Sequence, residues 1–526
     1  PSAEQGHSAL GAVLVRLGRT TEGIRELEKA LTIQPNDSSA QLNLALAYGE
    51  NGQVAKALPW FAKVDAASRA KGHTLPPYVL AAYARALAGT QQMSAAIAKM
   101  KEAIAGDPHN AELHDELGSI YAQHNDWPNA KQAFDAAIQL NPNLAMAHMH
   151  LGITLQSEQQ PDALDELTKA YQLAPENAVI AMELGQALTS AGQDERAIPV
   201  LERVLDLEPN LSAAAYQLGL ALQRTNKVQE AIPLLQKAAV ADPDNADVLT
   251  NLGMALCQAQ QAKDAVPILQ HAVGLTPGNV TAHQDLAAAY IQLSQFDDAV
   301  RQLREALKLS PNVSQLHYDL GLAFKMQDDA ADAIPELKSA EKLDPSEPEP
   351  PYALGVLYLQ AGQYADAERE LNISLKLRPE NGDGWAMLGS VYNNLGKLPE
   401  ATAALREAIR QLPQQPDPHL TLAAVLVKQN QTAEATAERK QAADLMRSHM
   451  NRQRAEVASN SGNALLKSGN VDEAIVEFQN AVSYDTNYAE AHMGLAQALE
   501  RQGKVVEATA ERQKAEALEK ASQEQH

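Results

Sequence analysis

The sequence repeats with a period of 34 residues over nearly its whole length. Proline recurs at a spacing of 34 from residue 209 to residue 413, and glycine recurs at spacings of 33 or 34 from residue 118 to residue 253. A fixed period of about 20 to 50 residues is typical of stacked repeats, in which each unit packs only against its neighbours. One elongated array is therefore a better interpretation than the three or four domains that 526 residues would otherwise suggest.

Fifteen copies of the repeat fit when the recurring glycine is placed at position 8. Position 8 is Gly or Ala in every copy, position 20 is Ala in fourteen, and position 32 is Pro in eleven. Apolar residues at positions 7 and 11 share one helical face, and positions 20, 24 and 27 share a face of a second helix. Small residues at positions 8 and 20 let the two helices approach closely, and proline at position 32 helps to end the second helix. The copies begin at residues 4, 38, 77, 111, 145, 178, 212, 246, 280, 314, 348, 382, 416, 455 and 489, and the fifth is one residue short.

The repeat pattern resembles that of the tetratricopeptide repeat (TPR) family. In the twelfth copy the family pattern W-x2-L-G-x2-Y, A-x3-F and P is met with one departure, a leucine in place of the phenylalanine. The resemblance implies an all-α, right-handed superhelical solenoid of about fifteen helix-turn-helix units, with the first helix of each unit on the concave face. The residues that match in the twelfth copy are Trp385, Leu388, Gly389, Tyr392, Ala401, Leu405 and Pro413.

Two interruptions of the period suggest the domain organisation. One is an insertion after the second copy, and the other is a stretch between copies 13 and 14 that could be a linker or an extended helix. Copies 13 and 15 carry Arg439 and Arg512 at position 24, which is usually apolar, as expected of a terminal cap. We therefore expect copies 14 and 15 to form a semi-separate block. The predicted segments are 1–71 (repeats 1 and 2), 72–76 (insertion), 77–449 (repeats 3 to 13), 450–454 (linker or extended helix) and 455–526 (repeats 14 and 15 with a C-terminal capping helix).

Charge and composition limit the partners that the chain can have. The net charge is -23, and residues 111–526 account for it, with 57 acidic and 32 basic residues. An acidic array argues against nucleic acid and favours a neutral or basic protein or peptide. The single cysteine, Cys257, excludes an intramolecular disulfide framework, and no apolar run is long enough to insert directly into a membrane. Because the chain begins at Pro1, we expect a removed leader or a longer parent protein, and either a cytoplasmic or an exported location fits.

Histidine is abundant, but its placement indicates packing. Seven of the 14 histidines fall on position 4, where the family often has tryptophan. His148 and His150 are two residues apart and so do not share a helical face, which argues against a metal site. No cofactor is predicted. The position-4 histidines are His7, His114, His148, His283, His317, His419 and His492.

Positions 2, 5, 6 and 9 of the first helix are expected to line the concave face if the family geometry holds, and positions 5 and 6 are the predicted partner-binding row. Polar residues at position 6 stand beside methionine and tyrosine at position 5, and these two side chains suit adaptable protein recognition. We expect Tyr216, Tyr318 and Tyr352 to anchor a bound segment; the alternative is that they fill the inner groove without a partner. The candidate residues are Asn43, Glu116, Met149, His150, Met182, Glu183, Tyr216, Gln217, Asn251, Asp285, Tyr318, Asp319 and Tyr352.

The sequence favours a binding scaffold over an enzyme. It has no phosphate loop, no H-E-x-x-H and no nucleophile elbow. Position 2 is acidic in seven copies and basic in none, which argues against the clamp that some TPR domains use for C-terminal carboxylates. The first hypothesis is a non-catalytic scaffold that holds a protein or extended peptide. The others are a structural subunit of a larger assembly, possibly extracellular or in the envelope and able to self-associate, and the arm of a larger enzyme whose catalytic domain lies outside this chain.

Overall fold

The predicted all-α class is confirmed. The computed structural model describes residues 3–523, and within that range it has 29 α-helices and no strand. Fifteen helix pairs would give thirty helices, and the difference arises because one long helix, α26, serves two neighbouring repeats. The chain divides into two compact units, Pro1–Pro277 (unit 1) and Gly278–His526 (unit 2).

Each unit is built from successive helix pairs, most with a first helix of 13 residues and a second of 14. Unit 1 contains α1 (Ala3–Arg16), α2 (Thr20–Ile33), α3 (Ser38–Glu50), α4 (Val54–Ala70), α5 (Pro77–Gly89), α6 (Met93–Gly106), α7 (Ala111–Gln123), α8 (Trp127–Leu140), α9 (Ala145–Ser157), α10 (Ala163–Leu173), α11 (Ala178–Ser190), α12 (Asp194–Leu207), α13 (Ser212–Arg224), α14 (Val228–Ala241), α15 (Ala246–Gln258) and α16 (Ala262–Leu275). Unit 2 contains α17 (Val280–Gln292), α18 (Phe296–Leu309), α19 (Ser314–Met326), α20 (Ala330–Leu343), α21 (Glu349–Gln360), α22 (Tyr364–Leu377), α23 (Gly382–Asn394), α24 (Leu398–Gln411), α25 (Pro416–Lys428), α26 (Thr432–Lys467), α27 (Val471–Tyr484), α28 (Ala489–Arg501) and α29 (Val505–Gln523).

One residue with positive φ closes the turn inside every helix pair. A left-handed backbone costs least for glycine, and among the other residues Asn and Asp tolerate it best. Glycine stands at this position 15 in seven repeats and a polar residue in eight. The eight polar residues are Gln91, Asn125, Gln159, Asn226, Gln260, Ser294, Asp328 and Asn430.

Glycine at position 8 lets the two helices of a pair touch. A Cβ atom built on Gly253 would lie 2.3 Å from Cγ of Leu269, and one on Gly321 would lie 2.7 Å from Cγ of Leu337. Real Cβ atoms do not come this close, so the large residue at position 24 fills the space that glycine leaves. The close approach predicted for position 8 is confirmed at these glycines.

Histidine at position 4 joins the two helices of its own repeat. Its Nδ1 atom lies 2.5 to 2.7 Å from a carboxylate or amide oxygen at position 23, an arrangement that we call the histidine clamp. His148, His283, His419 and His492 are no more than 6% exposed, so the packing role predicted for this position is confirmed for them. The six clamps are His7–Glu26, His148–Glu166, His283–Gln302, His317–Glu336, His419–Glu438 and His492–Glu511.

The other ring nitrogen often reaches the preceding repeat. Nε2 of His148 lies 3.0 Å from the carbonyl oxygen of Pro142, and Nε2 of His317 lies 3.0 Å from that of Pro311. Both ring nitrogens then lie within hydrogen-bonding distance of oxygen atoms. A position-4 histidine therefore connects both helices of its repeat to the loop before it.

Two helices depart from the regular lengths at the predicted interruptions. Helix α4 has 17 residues instead of 14, and the insertion at 72–76 follows its C-terminus. Helix α26 has 36 residues and passes through 450–454 without a break. The second helix of repeat 13 and the first helix of repeat 14 are thus a single helix.

Candidate functional site

All thirteen predicted contact residues lie on first helices. Nine belong to unit 1, from Asn43 on α3 to Asn251 on α15, and four belong to unit 2. Twelve of them are half-buried, including Asn43 and Met182. Met149 is a correction, because its side chain is only 4% exposed and packs inside unit 1, where a partner cannot reach it.

Positions 5 and 6 form hydrogen bonds between neighbouring repeats. Asp115 accepts from Nδ1 of His150 at 2.9 Å, and Asn251 donates to the Tyr216 hydroxyl at 3.0 Å, both within unit 1. Glu116 pairs with Arg85 at 2.6 Å, and Gln217 accepts from the Thr189 hydroxyl at 3.1 Å. Much of the polar row in unit 1 is therefore satisfied by the protein itself, including Tyr216.

Burial changes the acidity of carboxylates in the row. In unit 1, burial raises the pKa of Glu183, and the nearby charge of His150 opposes that shift. In unit 2, burial raises the pKa of Asp285 to about 7, and its Oδ2 atom has no hydrogen-bond partner. Burial also raises the pKa of Asp319, although Gln284 and Gln315 each donate to its carboxylate at 2.7 Å. A raised pKa favours the neutral carboxylic acid over the carboxylate. These three groups therefore contribute less to cation binding than exposed carboxylates do.

Tyr318 and Tyr352 are brought together in unit 2, at the edge of a cavity of about 510 Å³. Helices α19 and α21 carry the two tyrosines at position 5, and the start of α23 and the loop before it complete the wall. We call this cavity the tyrosine pocket. Its lining residues are Tyr318, Pro348, Glu349, Tyr352, Arg378, Glu380, Asn381, Gly382, Asp383 and Leu412.

The tyrosine pocket carries more acidic than basic groups. Arg378 forms an ion pair with Glu349, whereas Glu380 and Asp383 are exposed. Burial raises the pKa of Tyr352, and the Asp383 carboxylate adds to the shift, so its hydroxyl stays neutral. Two neutral phenol rings beside exposed carboxylates suit a cationic side chain, because ring faces and carboxylates both attract positive charge.

Glycine shapes one wall of the pocket. Gly382 and Gly384 stand in the first turn of α23, where a Cβ on Gly382 would lie 2.5 Å from Cγ of Leu412 and one on Gly384 would lie 3.0 Å from Cδ2 of Leu375. The side chain of Asn381 caps the same helix and accepts from the amide of Gly384 at 3.0 Å. The absence of side chains at these two positions lets the start of α23 pack closely against Leu412 and Leu375.

The sequence predicted the two tyrosines but missed the loop residues. Position 2, which carries Glu349 and Asp383, is expected from the family geometry to line the concave face, but its acidic residues served only as an argument against a carboxylate clamp and were not among the candidates. The structure places both residues in the pocket. Arg378, Glu380 and Asn381 have no role in the repeat pattern, since they lie between the second helix of one repeat and the first helix of the next. The signal that could have found them is the crowding of charged residues around the Asn381 cap.

Metal ligands and membrane spans were also sought in the structure. Among residues 3–523, no group of three or more His, Cys, Asp or Glu side chains is arranged to hold a metal ion. Within the same range, no helix combines the length and the apolar character that crossing a bilayer requires.

Family comparisons match most of the chain. The family described as the Cilia and flagella-associated protein 70 C-terminal domain, a TPR region, matches residues 237–459. Four further tetratricopeptide repeat families match residues 8–71, 111–144, 155–223 and 462–503.

Individual relatives cover only part of the chain. A Drosophila melanogaster protein named BBSome complex member BBS4 homolog is 26% identical over 183 residues, which are 35% of this chain and 37% of that protein. The crystal structure of YrrB, titled a TPR protein with an unusual peptide-binding site, is 24% identical, with a TM-score of 0.32 over 38% of this chain and 97% of that one. A structure titled MamA MSR-1 is 30% identical, with a TM-score of 0.30 over 32% of this chain and 96% of that one. From the repeat pattern, the helix pairs and the family matches together, this chain is a member of the tetratricopeptide repeat family.

Proposed function

We propose that the chain is a non-catalytic scaffold that binds an extended segment of a partner protein across its first helices, with a lysine or arginine of that segment in the tyrosine pocket. The observation that carries the proposal is the pairing of Tyr318 and Tyr352 beside the exposed carboxylates of Glu380 and Asp383. Membership of the TPR family supports a role in protein interaction.

The geometry of the pocket supports an extended segment with a basic side chain. Consecutive first helices contribute Tyr318 and Tyr352 from equivalent positions, 34 residues apart, so a segment crossing these helices meets both rings. Tyrosine provides a large, rigid contact surface at low entropic cost. The acidic surplus of the pocket and the net charge of -23 both favour a basic partner.

Peptide selection on the full chain tests the proposal. Random peptides displayed on phage are selected on the wild-type protein, and we expect enriched sequences to carry Lys or Arg. The selected peptides, resynthesised, should bind the double variant Tyr318→Ala with Tyr352→Ala at least about tenfold more weakly, because two aromatic contacts are lost. Asp383→Asn should weaken binding and reduce its dependence on salt.

A matched control separates the pocket from general acidity. Asp264→Asn removes one exposed carboxylate on α16 of unit 1 and should leave peptide affinity unchanged. Enrichment of acidic peptides, or equal binding to the wild type and the double tyrosine variant, would overturn the proposal.

A further inference from the structure

The first helix of repeat 14 has an open face. Position 3 is buried in repeats 2 to 13 and in repeat 15, as shown by Val79, Leu316 and Ala491, each 0% exposed. The residue at this position in repeat 14 is Val457, and it is 71% exposed. At position 7, Leu320 is 2% exposed, whereas Ser461 of repeat 14 is exposed.

The cause of the open face is the fused helix α26. In repeat 10 the preceding second helix, α18, turns back and packs against the first helix, α19. In repeat 14 the preceding second helix continues straight into the first helix as α26, so it cannot fold back over it. The face that another repeat would bury is left uncovered.

The histidine clamp of repeat 14 is also incomplete. Position 4 is Ala458, although position 23 has kept the acidic partner, Glu477. Within the described residues, Glu477 has no hydrogen bond or ion pair, whereas its counterpart Glu336 in repeat 10 accepts from His317 at 2.6 Å. A carboxylate thus faces a gap that an imidazole fills in six other repeats.

Together these changes create a groove of about 690 Å³ between α26 and α27. Met450, Val457 and Tyr484 give it apolar walls, and they are 45%, 71% and 42% exposed. Arg454 and Glu477 give it one basic and one acidic group, and they do not pair with each other. We call this surface the repeat-14 groove.

We propose that the repeat-14 groove docks an amphipathic helix of a partner protein. That helix covers Val457 with apolar side chains, places a cationic side chain beside Glu477 and directs an acidic one towards Arg454. The molecule itself supplies the argument for this occupant. A helix covers position 3 in the closed repeats, and a donor from an imidazole satisfies position 23 in the clamped ones.

A helix of the chain itself can serve as the probe. A lactam-stabilised peptide of residues 296–309 copies α18, which packs on the equivalent face of repeat 10 and carries both acidic and basic residues. Its affinity for the full chain is measured by fluorescence anisotropy. We expect binding, and we expect Val457→Glu to weaken it at least tenfold.

Two further variants locate the peptide. Ala458→His places an imidazole beside Glu477 and should also weaken binding, because it fills the gap from within. Val506→Glu changes another exposed valine, 85% exposed on α29, and should leave binding unchanged. Val457 is largely exposed, so its replacement should keep the helical content of the wild type, as circular dichroism would verify.

Three outcomes of the peptide-binding experiments would overturn the proposal. They are no binding of the peptide to the full chain, equal binding to the wild type and Val457→Glu, and equal weakening by Val506→Glu. Light scattering tests the competing occupant. If the full chain is a dimer that Val457→Glu converts to a monomer, the groove holds a second copy of this chain and not a partner helix.

Discussion

Repeats 10 and 14 are each built as a pair of packed helices, but they differ in what covers the first helix. In repeat 10, Leu316 is 0% exposed and His317 joins the two helices through Glu336. In repeat 14, Val457 is 71% exposed and no histidine meets Glu477. The exposed surface of a TPR repeat therefore depends on its connection to the preceding repeat as much as on its own residues. Where the preceding second helix runs on into the first helix without a turn, it cannot fold back and cover that first helix.

The largest effect is expected from introducing glutamate at position 3 of each of the two repeats. Leu316→Glu buries an unpaired charge and should destabilise repeat 10 by about 3 to 5 kcal/mol, whereas Val457→Glu should change stability by less than about 0.5 kcal/mol. Hydrogen exchange of α19 and of α26 in each variant measures the local opening free energy. Equal losses in the two repeats would show that the face of repeat 14 is not open.

Burial of a carboxyl group whose Oδ2 atom has no hydrogen-bond partner makes the stability of the closed part of unit 2 depend on pH. Burial raises the pKa of Asp285 to about 7 from an ordinary value of 3.8, so between these values the folded state binds more protons than the unfolded state. Stability should therefore fall as pH rises from about 4 to 7 and then become level. Asp285→Asn removes this dependence and should stabilise the protein by about 2 to 3 kcal/mol at pH 8.

Denaturant unfolding at a series of pH values measures this effect of Asp285. At pH below about 4 the variant and the wild type should be equally stable, since the aspartic acid is then neutral in both states. Asp328→Asn, at an exposed residue, is the matched control and should leave the pH profile unchanged. A profile that Asp285→Asn does not alter would contradict the raised pKa of this carboxyl group.

Removing the clamp from repeat 10 should make it resemble repeat 14. His317→Ala leaves Glu336 without its imidazole donor and opens a gap, at a cost of about 2 kcal/mol. His449→Ala, at an exposed histidine in α26, should cost less than about 0.5 kcal/mol. Thermal unfolding of both variants measures the difference, and similar melting temperatures would mean that the clamp contributes nothing.

The smallest effect concerns the turn inside each pair. Repeat 10 has Asp328 at φ 58 where repeat 14 has Gly469 at φ 86. Asp328→Gly relieves a left-handed backbone and should stabilise repeat 10 by about 0.5 kcal/mol, after the greater freedom of glycine in the unfolded chain is allowed for. A loss of stability in denaturant unfolding would show that Asp328 contributes something beyond its backbone conformation.

Much of the fold was predictable because every repeat obeys the same local rules. The 34-residue period predicted the helix pairs, and the polar and glycine residues between the helices predicted where the turns lie. The histidine clamp could also have been predicted, because six of the seven repeats with histidine at position 4 have glutamate or glutamine at position 23. That signal links different helices and is invisible when each position is considered separately.

The sites were less predictable because they depend on departures from the repeat. Tyr318 and Tyr352 follow from their position, but Arg378 and Glu380 reach the tyrosine pocket through a loop that no periodicity describes. Tyr216 is at the equivalent position in its own repeat, but its hydroxyl already accepts a hydrogen bond from Asn251. A hydrophobic residue at position 3 would by itself predict burial. Val457 is exposed because no turn separates the second helix of repeat 13 from the first helix of repeat 14.

The shared helix α26 has a consequence for how unfolding spreads along unit 2. In repeat proteins, stability is a sum of terms within repeats and between neighbours, so fraying can stop at any repeat boundary. At the boundary of repeats 13 and 14 the connection is an unbroken helix of 36 residues, about 54 Å long. If unfolding stopped at this boundary, α26 would be cut in its middle, and the backbone N–H and C=O groups at the new helix end would lose their hydrogen-bond partners. Repeats 13 and 14 should therefore melt as one cooperative block.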